Sequence, residues 1–139
     1  MTPEAFRSEA QVEDKGQELI HRLLRYVDEE TNFAIRALSA ARAFDLDTYL
    51  ALGDALRFNP TTPAFNVLKR FSFVWEEKAR GQDWYRIHNL LGRLFAERPE
   101  DSDLLRDAHA ALERYYLERV QAGDPAAITE AIYHMNHLD

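Results

Sequence analysis

Cysteine is absent from the 139 residues of this chain, which excludes disulfide staples, thiolate metal sites and a cysteine nucleophile, and suits a reducing compartment. No apolar run approaches the roughly 20 residues of a membrane span. Residues 1–16 are acidic and polar where a signal peptide would begin basic and turn apolar. The expected location is the cytoplasm, with no membrane partner. The chain also lacks G-x-x-x-x-G-K-[ST] and G-x-G-x-x-G loops, so it has nothing of its own to cradle a nucleotide's phosphates. No serine, histidine and acid are spaced to make an activated nucleophile, and the expectation is a protein that is not an enzyme.

What is present suffices for one ordinary core with a helical appendage, since 46% of the residues are apolar. The net charge of −7 divides into three blocks. Residues 1–56 hold 6 basic and 11 acidic side chains, 57–98 hold 8 and 4, and 99–139 hold 3 and 9. A basic centre between acidic flanks compensates itself within the molecule or meets an acidic partner, and the first is the simpler expectation.

Residues 1–16 have little apolar periodicity and read as a disordered leader. From Gln17, Leu19, Ile20, Leu23, Leu24 and Val27 share a helical face, and Asp28-Glu29-Glu30 ends that helix and starts another carrying Phe33, Ala34, Ala37, Leu38 and Ala41. Asp45 is the expected N-cap of a third helix, with Leu46, Tyr49, Leu50, Gly53 and Leu56 inward, and Thr62-Pro63 opens a fourth. Phe73-Val74-Trp75 and Trp84-Tyr85-Arg86-Ile87 read as a hairpin around Gly81, and a helix with Leu90, Leu91, Leu94 and Phe95 inward follows. This sequence of elements, over residues 17–98, is that of a winged helix. Residues 99–139 read as a helical hairpin: a long helix closes at Ala122-Gly123, and Asp124-Pro125 caps and opens a second with Ile128, Ala131, Ile132 and Met135 inward. The fold class expected is mainly α with a small β-hairpin, a winged helix followed by the start of a TPR-like array.

His88 is the candidate functional residue, because a polar side chain where a strand passes into a helix lies beside unpaired N–H groups and the positive dipole end. The plainer reading of His88 is a helix cap. His134 and His137, three apart on one helix with Asp139 and His109 near, have a metal spacing without an assured third ligand, and no metal is expected. Glu76-Glu77 and Glu100-Asp101 read as solvated pairs, and Tyr115-Tyr116 and Trp75 with Trp84 as packing residues. A winged helix also raises DNA binding, through Asn66, Lys69 and Arg70 with Arg80 on the wing, but the cationic stripe is thin and both flanks would repel phosphate.

Three stretches, Leu23-Leu24-Arg25-Tyr26-Val27-Asp28-Glu29-Glu30, Ala37 to Asp45 and Tyr85-Arg86-Ile87-His88-Asn89-Leu90-Leu91, resemble the winged-helix domain that follows the nucleotide-binding core in STAND-class signalling ATPases, the NB-ARC and apoptotic group. Residues 100–139, with the Asp-Pro turn and Ala131-Ile132-Tyr133-His134, are similar to the start of the helical-repeat sensor that comes next. In that family an apolar residue, a histidine and an aspartate form a motif whose histidine reaches the diphosphate of ADP in the neighbouring core. By resemblance Ile87 and His88 fill the first two places, and Asn89 stands in the third without the charge. The resemblance implies a non-catalytic regulatory and interaction module. Its partners would be an upstream NTPase core and downstream helical repeats, with ADP or ATP held by the parent protein and no cofactor in this chain. The alternative is the DNA-binding winged helix of a transcriptional regulator.

Overall fold

In the computed structural model the described residues are 15–18, 20–22 and 24–138. The chain is mainly helical with one small two-stranded antiparallel sheet. The first helix, α1, runs through the described residues between 15 and 25. It is followed by α2 (Glu29–Leu38), α3 (Leu46–Leu56), α4 (Thr62–Leu68), β1 (Val74–Glu76), β2 (Tyr85–Ile87), α5 (Asn89–Ala96), α6 (Ser102–Gln121) and α7 (Ala127–Asn136). The leader expected over residues 1–16 falls outside the described residues except at 15 and 16, which are helical. Among the described residues, no helix is long and apolar enough to cross a membrane.

Local chemistry sets most boundaries. Asp28 and Asp45 cap α2 and α3, each carboxylate accepting the N–H of the residue three on, at 2.6 and 2.9 Å. At α4 the cap is Thr61 rather than Thr62: its hydroxyl accepts from the Ala64 N–H, and Pro63 lies in the first turn, where its missing N–H costs nothing. Helix α6 closes as expected at Ala122-Gly123. The Gly123 and Asp124 N–H groups return to the Val120 and Arg119 carbonyls, a Schellman arrangement that needs the positive φ of Gly123 (105°). Asp124 does not cap α7 with its side chain; its backbone carbonyl takes the Ala127 N–H instead.

Val74 pairs with Ile87, Trp75 with Arg86 and Glu76 with Tyr85, so Val74, Tyr85 and Ile87 are buried. A 3-10 turn at Lys78–Arg80 fills the connection. Phe44, ahead of α3, exchanges both backbone hydrogen bonds with Tyr85 and ties the hairpin to the helices. Phe44, Tyr49, Phe65 and Tyr85 pack ring to ring within 5.1–6.4 Å. Ala108, Leu112 and Tyr116 of α6, with Ala127 and Ala131 of α7, join the same continuous core, since α6 lies against α2 and α3.

Helix α3 is inward through Thr48, Tyr49, Leu52 and Gly53, with Leu46, Leu50 and Leu56 only half-buried. A methyl group on Gly53 would overlap the Pro60 ring, which cannot rotate away. Gly53→Ala is therefore expected to destabilise the chain by roughly 1–3 kcal/mol, although alanine favours helix, and urea unfolding measures it.

Candidate functional site

His88 leaves β2 and begins α5. Its backbone N–H donates to the Phe73 carbonyl at 2.8 Å, and its Nδ1 accepts the Leu90 N–H at 3.1 Å, so the imidazole is the N-cap of α5. Accepting at Nδ1 puts the proton of the neutral ring on Nε2, which has no partner among the described residues. The ring stands edge-on against Trp75, centroids 4.4 Å apart. Phe73, Trp75, Leu90 and Leu94 line a shallow apolar hollow of about 290 Å³ beside it. Asn89 takes no part in the cap. Its Oδ1 accepts from Arg86 at 2.9 Å.

Two buried carboxylates organise the other face. Asp101, completely buried, accepts a hydrogen bond from Arg36 of α2 at 2.8 Å and lies within ion-pair distance of Arg98 at 3.3 Å; it is not solvated as the Glu100-Asp101 pair was expected to be. Glu130 of α7, also buried, receives Arg42 at 2.6 and 3.2 Å and, on the same side, Arg80 from the hairpin turn. Burial pushes the Glu130 carboxyl up, but the hydrogen bonds and charges of Arg42 and Arg80 outweigh it and hold the group below its ordinary value. Arg80, the expected wing cation, is thus engaged within the chain.

The three carboxyl-terminal histidines do meet. His109 and His134 face each other through Nδ1 atoms 2.8 Å apart, and His137 stacks on His109 at 4.4 Å. One proton bridges the pair. Nδ1 of His137 is used on the Tyr133 carbonyl at 2.8 Å, and among the described residues no group of three ligating side chains is arranged to hold a metal. Asp139 lies outside the described residues. Burial, reinforced by the neighbouring histidine, lowers His109 to about 4 and His134 to about 3.

Helix α7 therefore presents a different face from the one its apolar spacing indicated. Ala127, Glu130, Ala131 and His134 are inward, and Ile128, Ile132 and Met135 are exposed. Spacing finds a stripe of isoleucines, but Glu130 and His134 have partners waiting inside that spacing cannot report.

Between α5 and the end of α7 lies a cleft of about 660 Å³, with Arg42, Arg86 and Arg93 on its walls and Tyr133, His109 and His137 at its far side. Comparison with family models, curated proteins and solved structures gives no match for this chain.

Proposed function

We propose that this chain is a non-catalytic regulatory module of a cytoplasmic STAND-class ATPase: a winged helix with the first helices of a TPR-like array, coupling the nucleotide state of an upstream NTPase core to downstream repeats. The carrying observation is His88, which caps α5 through Nδ1 and so keeps Nε2–H to donate, beside a helix N-terminus, to the diphosphate of ADP held by that core. The order α2, Phe44 bridge, α3, α4, β1, β2, α5 supports the winged helix. Asp101 and Glu130 support the coupling. Each is buried and joins arginines of the winged helix to the terminal helices, so displacement of one part moves the other.

The DNA-binding alternative is less well supported. Arg80 is held by Glu130, and Lys69 lies over the Tyr85 ring at 5.9 Å, leaving few cations for a phosphate backbone.

The test is ADP release from the ATPase carrying this module. His88→Ala is expected to speed release about tenfold, the effect of one charge-assisted hydrogen bond, at unchanged helix content by circular dichroism. Unchanged release would reduce His88 to a helix cap.

A further inference from the structure

Glycine inside a helix disfavours it by up to about 1 kcal/mol relative to alanine, so a helical glycine calls for a reason. Gly53 has one in the Pro60 ring. Gly92, in the middle of α5, has none among the described residues: a methyl group there would meet only the Ser39 carbonyl oxygen, at an ordinary 3.7 Å. What its missing side chain opens is the cleft between α5 and α7.

The chemistry of that cleft is cationic. Asn89, Gly92, Arg93 and Ala96 fall on one face of α5 and line it, whereas His88, Leu90, Leu91 and Leu94 line the separate apolar hollow. Arg93 is exposed and makes no hydrogen bond or ion pair with the described residues. Arg42 spends Nε and Nη2 on Glu130, which fixes the guanidinium over the Tyr133 ring at 5.0 Å and leaves Nη1 without a described partner. Arg86 is held by Asn89 and, at 3.4 Å, by Glu77, the one carboxylate lining the cleft. Arg42 is countered by Glu130 and Arg86 by Glu77, so the excess positive charge of the cleft rests on Arg93. The unpaired guanidinium of Arg93, beside the free Nη1 of Arg42, suits a phosphoryl group. The volume suits a small molecule, and the Tyr133 ring and the stacked His109 and His137 give one wall an aromatic surface.

We propose that this cleft binds a small phosphorylated ligand, with Arg42 and Arg93 taking the phosphoryl oxygens and the gap at Gly92 admitting them. The site is distinct from His88 and stands or falls independently of the role given to that residue.

Pyrophosphate is the probe, titrated calorimetrically into the full chain at low salt. The expected result is saturable one-to-one binding that weakens about tenfold or more in Arg93→Glu, which removes an exposed cation, and in Gly92→Leu, which fills the gap with a better helix former. Arg114→Glu, which reverses an exposed α6 cation outside the cleft, should bind as the unaltered chain does, and citrate at least about tenfold more weakly than pyrophosphate. Absence of binding, affinity as high as the unaltered chain's in both cleft variants at unchanged circular dichroism, an equal loss in Arg114→Glu, or citrate binding as tightly as pyrophosphate would each overturn the proposal.

Discussion

Replacing Glu130 with alanine is expected to lower the unfolding free energy by about 3 kcal/mol, the lower end of what removing one partner from a buried ion pair costs. The carboxylate is only 5% exposed, yet it is the shared acceptor of Arg42 from the α2–α3 connection and Arg80 from the hairpin turn. Without it two cations face each other and the hydrogen bonds joining α7 to the hairpin are lost. The arginine side chains are 41% and 27% exposed, so both can turn partly toward water, which is why the upper end of the range is not reached. Glu130→Gln, which keeps an acceptor but not the charge, should fall between. Replacing all three groups together, as Glu130→Leu with Arg42→Met and Arg80→Leu, should recover much of the loss. Because the carboxyl is held below its ordinary value of 4.5 in the folded chain, its contribution is fully present above that pH and fades as pH falls through the folded value. Urea titrations at constant m measure each variant. A change below about 0.5 kcal/mol for Glu130→Ala, the size of an ordinary surface substitution, would show that the pair contributes little.

Elements whose signals are local were legible in the sequence. The aspartate caps at Asp28 and Asp45, the hairpin and the glycine closing α6 need only neighbours in the chain, and each lies where its chemistry puts it. What was not legible depends on distant partners. Asp101 reads as one more acid in an acidic stretch until Arg36, 65 residues away, is brought against it, and Glu130 finds its arginines 88 and 50 residues back. The same holds for α7. Ile128 and Ile132 make the stronger apolar stripe, but the partners of Glu130 and of His134 Nδ1 rotate the helix so that of the expected stripe only Ala131 stays inside. His88 was legible as a junction residue, and its role as the cap follows from one hydrogen bond that spacing suggested without choosing the ring atom. The cleft had no sequence signal, because its walls come from five separate stretches.

Acidification between pH 6.5 and 5 is expected to destabilise the chain steeply, before its carboxylates titrate, because of His109 and His134. His134 is completely buried, its ring lies parallel to Tyr116 at 5.9 Å, and its Nε2 has no partner; its Nδ1 shares one proton with Nδ1 of His109. A first extra proton would put a full charge into that enclosure, and a second would set two N–H groups against each other across 2.8 Å. With folded values of about 4 and about 3 against 6.5 unfolded, the unfolded imidazoles, each half protonated at pH 6.5, are both nearly fully charged by pH 5, while the folded pair stays almost wholly uncharged. The sign follows: stability is complete above pH 6.5 and is lost as pH falls toward the folded values, at about 3 kcal/mol per pH unit once both unfolded imidazoles are charged. Against a total stability of roughly 5–15 kcal/mol, this is a large fraction by pH 4. Urea unfolding at pH 7.5, 6.5, 5.75 and 5 measures the slope. His134→Leu, which keeps the volume and removes the unpartnered buried Nε2, should flatten it by half or more while changing stability at pH 7.5 far less. An equal slope in the variant would mean that the acid sensitivity lies elsewhere.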